Sequence, residues 1–253
     1  MIPQPFVKGA GERVFFGPYE YPSGADLIFD FGNPASFGNT SALSASNAAT
    51  TSPAASVTAS FIPFNNPGPI YPTYSSNNGG VIITLEGGAG TNYLQWDWKS
   101  TEKQTNVLVY APNGNQSSGT NQFFPKTAGA SSIEVQIVYP LNRMFVNIAN
   151  SSNVKTDDVF GQIQFDTGSL NSRNGWNTFI VSANESNIHN LYVNTATSSL
   201  DTTTITRTTS ATQTTQLGLS SNSRIMAFLQ YPKLLTPKEV RQINKVFSQR
   251  FFL

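Results

Sequence analysis

The sequence predicts an all-β protein, a sandwich or jelly roll, with one C-terminal helix. Three observations carry this prediction. Apolar and polar residues alternate with period two in run after run from Val81 onward, the pattern of strands with one buried face. Gly, Pro, Asn, Asp and Ser punctuate the runs, and about a dozen short strands set apart by turn signals fit a sandwich better than alternating β and α units. Helical spacing is confined to the closing stretch, LLTPKEVRQINKVFSQRF.

The chain has 253 residues, enough to bury one sizeable core, and a single β domain with an appendage accounts for that length. Residues 1–24 read as an extended N-terminal arm, in which Pro3, Pro5, Pro18 and Pro22 block helix. Phe6, Phe15, Phe16, Tyr19 and Tyr21 give the arm apolar anchors, either for its own domain or for a neighbouring subunit. Residues 25–253 form the sandwich. Leu27 to Phe31 is its first strand, stopped by Gly32-Asn33-Pro34. Ser36 to Ser60 has no helical period and reads as a long loop or weak edge strands, and FIPFNNPGPIYPTYSSNNGG reads as a surface connection.

Further along, NYLQWDW sets Leu94, Trp96 and Trp98 on one face, and SIEVQIVYP and RMFVNIA form a hairpin. GWNTFIVSAN aligns Trp176, Thr178, Ile180 and Ser182, HNLYVN follows as a strand, and TTTITRTT reads as a solvated strand. RIMAFLQY places Ile225, Ala227 and Leu229 on one face. The closing helix spans about 237–250. Thr236 and Glu239 form a capping box, Pro237 takes the first helical position, and Leu235 and Val240 form a hydrophobic staple. Val240, Ile243, Val246, Phe247 and Phe251 recur at helical spacing, so this stripe is buried on the sheet.

The tail RIMAFLQYPKLLTPKEVRQINKVFSQRF resembles the last strand and terminal helix of laminin-G-like, or concanavalin A-like, jelly rolls, through Ile225, Phe228, Tyr231, Leu235, Thr236, Glu239 and Val240. Other landmarks follow in family order: DLIFDFGNPASF as opening strand and turn, SIEVQIVYP as central strand, and NGWNTFIVSANESNIHNLYVN as the Trp strand and its hairpin. Thr195 stands where the family commonly has glycine, and Ser223 stands near another frequent glycine. The resemblance implies two antiparallel sheets with the helix closing one side. Cysteine-free members of this type are similar to structural proteins of tailed-phage virions, as capsid decoration, head fibre or tail-associated proteins.

Composition narrows the function. Fifteen basic and fourteen acidic residues leave a net charge of +1 with no cationic cluster, which argues against nucleic-acid binding. Charged residues make up 11% of the chain, less than half the usual share, so hydroxyls and amides cover much of the surface. There is no cysteine and a single histidine, His189, so thiolate and multi-histidine metal sites are excluded. No apolar run approaches a membrane span, and the first residues lack the pattern of a signal peptide. A virion component made in the host cytoplasm reconciles that start with an extracellular-type surface.

No catalytic residues are assigned. The hydrolase reading needs two carboxylates across a cleft, whereas Glu134 has Gln136 beside it, and Asp157 and Asp158 are adjacent residues that point apart. No cofactor is expected and no metal ligand is assigned; calcium stays in view because related sandwiches hold it, with Asp30, Asp166 and Asp201 each needing distant partners. The expected partners are other virion proteins in a homo-oligomeric or multi-copy assembly, and cell-surface glycan. Tyr71 and Tyr74 are the glycan-contact candidates, while Trp96, Trp98 and Trp176 read as core. A stand-alone lectin-like module is the alternative.

Overall fold

The computed structural model describes residues 17, 19–37, 44–65, 69–70, 73–77, 80–85, 93–112, 119–122, 126–127, 133–139, 143–148, 163–164, 176–184, 189–194, 196–200, 212–217 and 223–251. The first strands are β1 (Leu27–Asp30), β2 (Ser44–Ser46), β3 (Thr58–Ile62), β4 (Phe64–Asn65), β5 (Pro69–Ile70), β6 (Thr73–Asn77) and β7 (Gly80–Leu85). The middle of the chain gives β8 (Tyr93–Lys99), β9 (Gln104–Pro112), β10 (Gly119–Gln122), β11 (Lys126–Thr127), β12 (Ile133–Tyr139) and β13 (Arg143–Ile148). The last are β14 (Ile163–Gln164), β15 (Asn177–Ala183), β16 (His189–Val193), β17 (Ala196–Leu200), β18 (Thr212–Leu217) and β19 (Ser223–Tyr231), followed by helix α1 (Pro237–Phe251).

An eight-stranded sheet runs β17-β16-β15-β9-β19-β7-β6, and β1 takes the remaining outer edge of β19. Facing it is a five-stranded sheet, β11-β18-β8-β3-β2; β10-β12-β13-β14 and β4-β5 make smaller ladders. Every described pairing is antiparallel. The hairpin expected of SIEVQIVYP and RMFVNIA is β12-β13.

One core lies between the two large sheets. Phe29 and Phe228 flank Trp96 at centroid distances of 5.3 and 5.0 Å, and Phe31, Phe37 and Phe61 form a second ring cluster. Alternation builds it: β8 turns Leu94 and Trp96 inward and Asp97 outward, while β3 turns Ala59 and Phe61 inward and Thr58 and Ser60 outward. A second core lies on the opposite face of the large sheet, where Val107, Val109, Ile180, Ala227, Leu229 and Tyr231 meet Val240, Ile243 and Phe247 of α1. β15, caught between these cores, is buried at all seven positions. Its Ser182 bonds Thr105 at 2.8 Å beneath the helix, so the hydroxyls there are satisfied.

Four details differ from the sequence reading. Met226 is a bulge residue: Ile225 pairs with Tyr110 but Ala227 pairs with Val109, so Ile225 faces the inter-sheet core while Ala227 and Leu229 face the helix. The bulge falls where the partner of β19 changes from β7 to β1, and the freed Met226 carbonyl accepts from Phe31 N at 2.9 Å. The proline-rich connection contains β4, β5 and β6, and β17 is an additional strand after HNLYVN. In that turn Asn194 takes a positive φ of 53°, a conformation asparagine tolerates. TTTITRTT lies outside the described residues.

Candidate binding site

The end of the arm lies against the sandwich and the helix. Gly24, whose φ of 85° suits glycine, turns the chain into β1. Tyr21 stacks on Phe247 at 5.6 Å, and its hydroxyl donates to Asp30 Oδ2 at 2.5 Å. Arg250, in the last turn of α1, grips the same carboxylate with both terminal nitrogens, at 2.9 and 3.0 Å. Burial disfavours the guanidinium charge, but Asp30 and Tyr21 beside it hold the Arg250 pKa above its ordinary value. Burial, reinforced by the Asp30 charge, pushes the Tyr21 phenol well up, so it stays a donor.

Tyr19 lies over Arg250 with its centroid 5.1 Å from the guanidinium carbon, and its hydroxyl donates to Gly32 O at 2.7 Å. It is the one exposed large hydrophobic among the described residues, at 38%. Phe6, Phe15 and Phe16 lie outside the described residues, as does Tyr71; Tyr74 sits in β6, in register with Ile83 of β7.

The helix start forms the box read from the sequence. Thr236 N donates to Glu239 Oε2 at 2.8 Å, Glu239 N donates to Thr236 Oγ1 at 3.3 Å, and Lys233 pairs with Glu239 Oε1 at 2.5 Å. Burial raises the Glu239 carboxyl, but the bonds from Lys233 and Thr236 together outweigh it and hold the pKa below the usual range. Leu235 and Val240 are both buried in the second core.

A different chemistry gathers at one end of the inter-sheet core, where β8 stops and β1 and β9 begin. Trp98 is half-buried against the core, and its indole N–H donates to Asp26 Oδ2 at 3.3 Å. Asp26 is 6% exposed; its main-chain carbonyl accepts from Asn47 Nδ2 and Ser52 Oγ at 2.7 and 2.8 Å. Burial pushes its carboxyl up, against the opposing pull of the Trp98 N–H and of Lys99. Three buried amides, Gln104, Asn106 and Gln230, line the same end. Gln104 Nε2 donates to Asn106 Oδ1 at 2.8 Å, and Gln230 Nε2 donates to Lys99 O at 3.0 Å. Lys99 Nζ stands 5.6 Å from the Trp98 centroid.

The outward face of the five-stranded sheet is polar, and on it Asp97 accepts from Thr214 Oγ1 at 2.7 Å. Ser44, Ser60, Gln95 and Gln216 fall in one register row, with Gln216 Nε2 donating to Gln95 Oε1 at 3.0 Å. Among the described residues no cluster of three metal-ligating side chains forms. Asp30 is committed to Arg250 and so supplies calcium no free carboxylate. Among the described residues, too, no helix is long and apolar enough to cross a membrane.

Sequence reasoning missed both polar clusters. One signal was available: Asp30 sits in the apolar run LIFDF, and a carboxylate buried there needs a cationic partner, for which Arg250 in the apolar QRFFL is suited by type. Nothing in the sequence singles out Asp26 as the partner of Trp98, because the pair is 72 residues apart.

No family model and no curated relative matches the sequence. The fold does find similar solved structures. The likeness is one of fold. A binding domain of botulinum neurotoxin DC in complex with rat synaptotagmin II is 11% identical, with a TM-score of 0.60 over 87% of this chain and 51% of that one. The same neurotoxin's binding domain in complex with SialylT is 12% identical, with a TM-score of 0.60 over 90% and 52%. A structure of botulinum neurotoxin type C, described as depending on two ganglioside molecules for cell entry, is 12% identical, with a TM-score of 0.58 over 90% and 51%. The chain spans about half the length of these structures.

Proposed function

We propose that this chain is a non-catalytic binding module of the laminin-G-like, concanavalin A-like type, serving in many copies on the surface of a phage-like virion and engaging glycan on cells. The observation that carries the binding reading is the shared architecture with a binding domain in complex with synaptotagmin II and with a neurotoxin whose cell entry depends on ganglioside. The disposition of carboxylates supports the non-catalytic part. The two buried ones among the described residues are engaged separately, Asp30 by Arg250 and Asp26 by the Trp98 indole. Glycosidic hydrolysis by the common mechanisms needs two carboxyl groups working across one bond.

The virion placement rests on the family resemblance of the sequence. In this reading Phe6, Phe15 and Phe16, with the exposed ring of Tyr19, dock on neighbouring virion proteins, and the polar outer sheet face adds a second contact. Repetition over many copies converts weak single contacts into firm attachment. Tyr71 and Tyr74 remain proposed glycan contacts.

Mass spectrometry of particles purified from the organism that encodes the chain tests the placement. Recovery in stoichiometric amount with structural proteins supports it, and absence from intact particles sinks it. Deleting residues 1–24 then tests the arm: undiminished incorporation removes its docking role.

A further inference from the structure

We propose that the Trp98 end of the sandwich is a binding site for a neutral pyranose, with the indole as stacking face, Asp26 as acceptor and the Asn106 and Gln230 amides as matching donor and acceptor. This deepens the glycan part of the proposed function and rests on it. The cluster has unused hydrogen-bonding capacity. Among the described residues no hydrogen bond is made by Asp26 Oδ1, Asn106 Nδ2 or Gln230 Oε1, although each residue is at most 6% exposed. Their other polar atoms are held in place: Asp26 Oδ2 by Trp98, Asn106 Oδ1 by Gln104, and Gln230 Nε2 by Lys99 O. The side chains are therefore oriented before anything binds.

The unmatched set suits a sugar. Vicinal hydroxyls both donate and accept, so one pyranose edge can satisfy two acceptors and one donor, while its C–H face covers an aromatic ring. A half-buried tryptophan supplies that ring with little conformational freedom to lose. Lys99 occupies ring surface that the sugar needs, and the acceptor atoms of the site suit sugar hydroxyls, which donate, better than the carboxylate of an acidic sugar, which only accepts.

The test uses the whole chain, a panel of neutral methyl hexopyranosides and sialyllactose, with binding read by calorimetry and stability by thermal melting. The panel should contain at least one neutral sugar that binds. Asp26→Asn should weaken it about tenfold without lowering the melting temperature, and Trp98→Phe should weaken it similarly. Lys99→Ala, which clears the ring, should tighten it. A structural role alone predicts the reverse for Asp26→Asn: lower melting temperature and intact binding. Sugar binding that none of these substitutions alters overturns this site while leaving the glycan reading in place, and so does preference for sialyllactose. Silence across the panel overturns both.

Discussion

Replacing Arg250 with methionine would leave the fully buried Asp30 carboxylate with Tyr21 and the Gly32 amide as its remaining partners. Removing one member of a buried ion pair typically costs about 3–5 kcal/mol, because the other charge stays desolvated. Urea unfolding of Arg250→Met should show a loss in that range, and the double variant Asp30→Leu with Arg250→Met should recover much of it. Equal losses in both variants would mean that packing, not charge, holds this corner together. Asp26 behaves oppositely, since burial raises its pKa and outweighs the pull of the Trp98 N–H and of Lys99. A carboxyl raised on folding contributes stability at low pH that is lost as the pH rises through its folded-state pKa. Asp26→Asn should therefore gain on the wild type as pH climbs through that value and converge with it in acid; thermal melts across pH check the crossover.

At the scale of elements, the helix was the most legible part of the sequence. Its cap, staple and apolar stripe are local signals, and each needs at most a few neighbouring residues to be read. Thr236→Ala should cost about 1 kcal/mol in chemical unfolding. Glu239, whose pKa is lowered by its bonds to Lys233 and Thr236, contributes stability above the ordinary carboxylate range that disappears as pH falls through the lowered value. The cost of Thr236→Ala should therefore shrink in acid. Strand faces were legible where alternation was strong, as in β8, but the Met226 bulge reversed part of β19 because its cause is a change of pairing partner far away in the chain. Small residues hid β2, whose buried position is only an alanine. The two polar clusters stayed out of sight for the same reason as the bulge: Asp30 and Arg250 are 220 residues apart, and sequence pattern carries no such pairing.

At the scale of the molecule, the apolar stripe of the helix is spent on the large sheet, so the proposed partner contacts are the arm, the outer sheet face and the Trp98 end of the sandwich. The arm's near end is already tied to its own domain through Tyr19 and Tyr21. Its stretch up to Phe16 is therefore the part proposed to reach other proteins, and deletion of 1–16 should reduce particle incorporation while leaving the melting temperature of the isolated chain unchanged. The proposed function comes down to capture of glycan without chemistry. Prolonged incubation of the whole chain with cell-surface oligosaccharides, followed by recovery and mass spectrometry of what it captures, tests this most directly. Oligosaccharides should be retained and released at unchanged mass; failure to retain any, or recovery of shortened products, would overturn the proposed function.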